Sequence, residues 1–136
     1  MKPIARLSRT AMEAIRRQLQ QFGETSPGIQ IAVVSSADGF EVAAFQSPGA
    51  DTAASRVAAM TSSITALGDA ITRETGLMSS RNLIIESENG AVVLLPLKGA
   101  TPALALAIVA NKQAILGHLL WSARNTAIAI ERIATL

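Results

Sequence analysis

The sequence predicts an α/β (α+β) protein, a three-layer α/β/α sandwich around a five-stranded antiparallel sheet. Three observations predict it. Asp38-Gly39 and Asn89-Gly90 are two hairpin signals, each set between apolar runs, of which Ile29 to Ser35 is rich in β-branched residues. Between them lies a helical stretch, Ala53 to about Thr75, that is apolar on two adjacent faces. Three of the apolar runs, Ile31 to Val34, Val92 to Leu95 and Ala103 to Ala110, do not alternate with polar residues. Strands of that kind are covered on both sheet faces.

The elements follow in the order helix, two strands, helix, three strands, helix. The first helix is predicted from about Ile4 to Gln21, with Leu7, Ala11, Met12, Ile15, Leu19 and Phe22 inward and Gly23 after its end. Ile29 to Ser35 and Phe40 to Phe45 form the first hairpin across Ala37-Asp38-Gly39. Ser47-Pro48-Gly49 breaks the second strand, and Asp51 or Thr52 is positioned to cap the central helix, with Gly76 as its C′ residue. Arg81 to Ser87 and Ala91 to Leu97 form the second hairpin around Asn89-Gly90, a pair suited to positive φ at both central positions. Arg81 to Ser87 is more mixed in polarity, as an outer strand would be. Pro96 removes a ladder donor and marks a strand end or a bulge. Ala103 to Ala110 is the fifth strand, and Gln113 to Thr135 the last helix, burying Leu116, Leu119, Leu120, Ala123, Ala127 and Ile130. The central helix is expected on one face of the sheet and the terminal helices on the other.

The central helix carries two apolar lines. Val57, Met60, Ile64, Leu67 and Ile71 form a stripe of large side chains suited to the sheet. Beside it run small residues only: Ala59, Ser63, Ala66 and Ala70. Small side chains permit close approach of another backbone, and no helix of the same chain is free for that role. A second copy of the chain is therefore the expected partner.

Composition narrows the class. The chain has 136 residues, read as one domain over 1–136, and 49% of them are hydrophobic, enough for a core without staples. There is no cysteine and hence neither disulfide nor thiolate metal site, and the aromatic residues are only Phe22, Phe40, Phe45 and Trp121. MKPIARLSRT has no apolar stretch behind its basic residues, so no signal peptide is read. The longest apolar run is far short of the ~20 residues that span a bilayer. The expectation is a soluble, cytoplasmic protein with no membrane insertion. Net charge is +2, although Lys2, Arg6, Arg9, Arg16 and Arg17 cluster early. A solvated helix face is preferred over a lipid or nucleic-acid patch, since no stacking platform or nucleic-acid motif accompanies these charges.

The chain shows no catalytic constellation. GxxxxGK[ST], GxGxxG and HExxH are absent. His118 has neither nucleophile nor orienting acid near it in sequence and is read as structural or surface. Glu86 and Glu88 are read as solvated charges beside a turn rather than a metal or acid pair. No cofactor, no metal and no enzymatic activity are expected.

The element order, with AVVSSADGFEVAA, AASRVAAMTSSITALGDAI, NLIIESENGAVVLLPLKG and LALAIVANKQAILGHLLWSARNTAIAIERI in sequence, resembles the roadblock/dynein light chain family and its bacterial members over about Ile4 to Ile133. Each motif is weak alone; their order and spacing are specific. Pro96 and the basic segment at residues 2–9 depart from the pattern. The resemblance implies a profilin-like/roadblock homodimer whose central helices pack antiparallel and whose third strands pair across the two-fold. Ala59, Ser63, Ala66, Ala70, Arg81, Leu83 and Ile85 are the expected dimer contacts. It also implies binding of a small Ras-like GTPase, some bacterial relatives activating it and others scaffolding. The expected GTPase platform is the arc Arg56, Ser62, Thr65, Asp69, Thr72 and Arg73, taken as exposed and as a binding surface rather than a source of a catalytic arginine. Two other readings remain: a small-molecule sensor, which needs a pocket above ~300 Å³ inside the fold, and a structural adaptor without effect on GTP turnover.

Overall fold

A computed structural model of the chain describes residues 7–135. Within them the order is α1 (Arg9–Thr25), β1 (Ile29–Ser36), β2 (Glu41–Gln46), α2 (Ala54–Glu74), β3 (Leu83–Ser87), β4 (Gly90–Leu97), β5 (Leu104–Asn111) and α3 (Leu116–Ala134). The five strands form one sheet in the order β2-β1-β5-β4-β3, antiparallel at every pairing. The strands without alternation, β1, β5 and β4, are internal, and the mixed strand β3 is an edge, as polarity predicts. α1 and α3 cover one face and α2 the other.

The two faces are packed differently. On the α1/α3 side, Ile15, Leu19, Phe22, Val34, Leu95, Leu106, Ile108, Leu119 and Ile130 form a core of bulky side chains. Burying each such side chain is worth roughly 1.5–3 kcal/mol, so most of the fold's apolar stabilisation lies here. Under α2 the sheet supplies the bulk, with Ile31, Val33 and Leu94, while the helix contributes mainly Ala54, Val57 and Ala58.

Local chemistry shifts several predicted boundaries. α1 starts at Arg9 because the Ser8 side chain accepts the Ala11 N–H at 3.0 Å, and it runs through Gly23 to Thr25. The predicted first turn at residues 4–6, together with Lys2 and Arg6, lies outside the described residues. α2 is capped by neither Asp51 nor Thr52. Its N-cap is Ala53, which makes no side-chain cap bond, and Gln46 Nε2 instead donates to the Ala50 and Thr52 carbonyls at 3.1 and 2.9 Å to hold the entering segment. Its C-terminus behaves as predicted: Gly76 adopts φ 75°, its N–H donates to the Arg73 carbonyl, and the Leu77 N–H donates to the Thr72 carbonyl.

The second hairpin turn departs from the sequence expectation. Its loop residues are Glu88-Asn89, with Ser87 paired to Gly90, and neither Asn89 nor Gly90 has positive φ. Gly90 is needed for space: a Cβ there would collide with the Ala110 carbonyl oxygen of β5. Pro96 stays in register opposite Ala105, neither ending its strand nor bulging it. The last β3–β4 pair is Leu83 with Leu94, so β3 has already ended alongside Pro96. Among the described residues, no helix is long and apolar enough to cross a membrane.

Candidate functional site

Periodicity alone places the large stripe of α2 on the sheet. The structure turns the helix. Its buried residues are Ala54, Val57, Ala58, Thr61 and Gly68, whereas Met60 and Leu67 are each 61% exposed and Ile71 is 55% exposed. Of the large line, only Val57 is buried and Ile64 partly so. The reason is the distance between helix and sheet. The Leu83 methyls lie 3.2–3.4 Å from where a Gly68 Cβ would sit, so a large residue at that crossing has no room. Thr61 can be buried because its hydroxyl donates to the Val57 carbonyl at 2.7 Å, leaving no orphaned proton.

What remains outside is a continuous surface on the far side of α2. It holds Met60, Leu67 and Ile71 beside Ala59, Ser63, Ala66 and Ala70, all exposed. A shallow depression along it is lined by Ala59, Met60, Ser63, Ile64 and Leu67. β3 adds exposed Ile85 on the α2 side, with exposed Ile84 on the opposite face, and an edge with no strand beyond it among the described residues. The α2–β3 segment adds exposed Leu77 and Met78. Leu83 and Ile85 share the α2-side face of β3, opposite Leu94 and Val92. Arg81, expected on the strand, precedes it in a bend, because pairing with β4 begins only at Leu83.

The polar arc is less open than predicted. Arg56 and Arg73 are exposed, but Ser62, Thr65, Asp69 and Thr72 are only half exposed and turn toward the fold. Ser62 Oγ donates to the Ala59 carbonyl at 3.0 Å and lies against Gly39 of the first hairpin turn. Asp69 accepts the Ser80 hydroxyl at 3.2 Å, and Lys98 Nζ donates to the Ser80 carbonyl at 3.1 Å. Thr72 donates to the Asp69 carbonyl at 2.9 Å, and the Thr65 hydroxyl oxygen is buried without a hydrogen-bond partner among the described residues. Ser62 sets the flank of α2 against the first hairpin turn, and Asp69 ties it to the segments before β3 and after β4, while the Thr72 bond stays within the helix. The signal that separates them from the open surface is the helical phase of Thr61 and Gly68, small residues that the large stripe obscured.

Elsewhere the polar side chains are ordinary in chemistry. Arg16 donates to Glu13 at 2.7 Å, with Arg17 at 3.7 Å from the same carboxylate. The Arg16 hydrogen bond, aided by both guanidinium charges, holds the Glu13 carboxyl below the usual range, and Glu13 raises Arg16 in turn. Both side chains are solvent-exposed, so the pair is screened and counts for little in stability. His118 is exposed and sits in the first turn of α3, its ring 6.2 Å from that of Trp121. Among the described residues, no three His, Asp or Glu side chains converge as a metal site would require. The concavities are open surface clefts, one of about 630 Å³ lined by Gln20, Gln46, Pro48 and Asn111.

A Roadblock/LC7 domain family profile matches residues 16–110. No curated protein sequence matches the chain. Among solved structures, the fold is similar to an MglB with a tetrameric arrangement, at TM-score 0.84 and 18% identity, covering 99% of this chain and 98% of that one. It is similar to the gliding protein MglB of Thermus thermophilus at TM-score 0.83 and 17% identity, covering 99% and 98%. A Roadblock/LC7 domain from Streptomyces avermitilis aligns at TM-score 0.76 and 16% identity, covering 89% and 98%.

Proposed function

The chain belongs to the Roadblock/LC7 family, and from that premise we propose that it is a homodimeric regulator or scaffold for a small Ras-like GTPase rather than an enzyme. The observation that carries the self-association is the uncovered apolar face of α2 beside the free β3 edge. Contiguous exposed apolar surface of this kind marks an interaction site, and an open edge strand is a template for pairing. Ala59, Ser63, Ala66 and Ala70 of α2 and Leu83 and Ile85 of β3 form one interface with a second copy, joined by Met60, Leu67 and Ile71. Stable interfaces bury about 800 Å² per partner, so helix face and strand edge act together.

The GTPase reading rests on family membership and on the MglB-like fold. In the dimer, the Arg73 flanks of two α2 helices, with Ser62 and Asp69 at their rims, form a polar platform for the GTPase; Thr65 and Thr72 support it from beneath. Arg73 serves binding rather than transition-state stabilisation. Titration of the purified protein with GTP- and GDP-loaded bacterial Ras-like GTPase tests this. The expected result is preferential binding of one nucleotide state, weakened about tenfold by Arg73→Glu, as for an interfacial charge reversal, with the dimer intact. Equal binding by wild type and variant moves the platform elsewhere, and no binding of either nucleotide state removes the GTPase from the proposal.

A further inference from the structure

We infer that the cleft between α1 and α3 docks a proline-rich segment of a partner protein, held in the polyproline II conformation against Trp121. The cleft lies on the sheet face opposite α2, so it stands apart from the homodimer reading above. Trp121 is the chain's only tryptophan and is 65% exposed on the outer side of α3. Exposure of one large side chain means little by itself; the surroundings decide its use. Trp121 walls a cleft of about 320 Å³, together with Gln18 and Gln21 of α1 and Ser122 and Asn125 of α3. The Thr25 and Thr126 hydroxyls at its rim donate to carbonyls of their own helices at 2.7 and 3.0 Å. Among the described residues, the three amides, the Ser122 hydroxyl and the Trp121 indole N–H make no side-chain hydrogen bond, and no charged side chain but that of Glu24, one turn away, lies near the lining.

Free, uncharged donors beside an aromatic face are a narrow specification, and a polyproline II segment meets it. Such a segment has no internal hydrogen bonds, so its carbonyls are open acceptors, and its prolines carry no N–H that the cleft would have to satisfy. The proline ring is an apolar body whose C–H edges suit the negative face of the indole. The segment is already extended before it docks and loses little conformational freedom, which suits a shallow cleft. The spacing agrees as well. Ile128, 49% exposed, follows Trp121 by seven residues on α3, ~10.5 Å along the axis. Prolines three apart in polyproline II lie ~9.3 Å apart, so one can pack on Trp121 and the next on Ile128. The competing ligands fit less well. An anion finds no cation in the lining, and the hydroxyl protons of a saccharide are held best by carboxylates, which the lining lacks.

Fluorescence polarisation of fluorescein-labelled decaproline, titrated with the purified chain, tests the site, and the emission of the single tryptophan reports on it independently. The expected result is saturable binding with a blue shift of Trp121 emission as the ring leaves water, and no binding of a glycine–serine peptide of equal length. Trp121→Ala is expected to weaken binding about tenfold or more, as for a truncated aromatic anchor, with Trp121→Phe between it and wild type. Gln21→Ala and Asn125→Ala are each expected to weaken it about threefold, as for one lost hydrogen bond. All three positions are exposed, so an unchanged far-UV circular dichroism spectrum separates lost binding from lost fold. Leu67→Asp, on the other face of the sheet, is expected to bind as wild type does whether or not the chain dimerises through α2. Several outcomes overturn the site: no decaproline binding at millimolar concentration, binding indifferent to Trp121→Ala, binding lost in folded Leu67→Asp, or a shift of Trp121 emission by cellotriose but not by decaproline.

Discussion

Ser35 is fully buried in β1 on the side facing α2, and its hydroxyl finds no hydrogen-bond partner among the described residues. An orphaned buried hydroxyl costs ~1–3 kcal/mol, whereas alanine is almost the same size and carries no such group. Ser35→Ala is therefore expected to stabilise the chain by about 1 kcal/mol, read as a higher urea midpoint at unchanged slope. A fall in the midpoint would mean that a bridging water satisfies the hydroxyl. The glycines show how one residue type answers different demands. Gly39 takes φ 87° in the four-residue connection between β1 and β2, and Gly76 takes φ 75° beyond a helix. Gly90 is ordinary in φ and is required by the nearness of the Ala110 carbonyl. The first two are legible as turn and cap signals. The third reads in sequence as a turn residue, because a close approach between β4 and β5 leaves no local trace there.

At the scale of elements, α2 is the informative one. Its apolar residues are visible in the sequence, as is the fact that they cover more of the helix than one sheet contact needs. Which line faces inward is not. Periodicity reports that Met60 and Leu67 share a face, yet only the separation of helix and sheet, visible where Leu83 crowds Gly68, decides that this face points outward. Because Leu67 is exposed in the single chain, Leu67→Asp should leave helix content unchanged by far-UV circular dichroism. It places a charge in the proposed contact, where desolvation of an unpaired carboxylate is costly, and is expected to convert the dimer to monomer in light scattering. A variant that stays dimeric would remove α2 from the interface. β3 is legible as an outer strand from its polarity, although Arg81 falls outside it.

For the whole molecule, the asymmetry of the two layers has a thermodynamic consequence. The α1/α3 side holds the bulky core, and the α2 side closes over small residues. If a second copy completes the α2 layer, folding is linked to association by mass action. The melting temperature is then expected to rise with protein concentration in wild type and to become independent of it in Leu67→Asp. A concentration-independent wild-type transition would mark α2 as stable without a partner. The same asymmetry bears on the sensor reading: a ligand pocket would have to open within a core that the aliphatic strands already fill.

The sequence by itself determined the element order, the antiparallel hairpins, the edge position of β3, the sidedness of the helices and the resemblance to the Roadblock/LC7 family. These rest on local turn chemistry and on periodicities of two and 3.6 residues, which neighbouring side chains encode directly. Only the tertiary structure decided the rotation of α2, the exposure of Met60, Leu67 and Ile71, the contacts of Ser62 with the first hairpin turn and of Asp69 with Ser80, and the role of Gly90. Each of these depends on the distance between two elements remote in sequence, and that distance is set by how side chains from both fill the space between them.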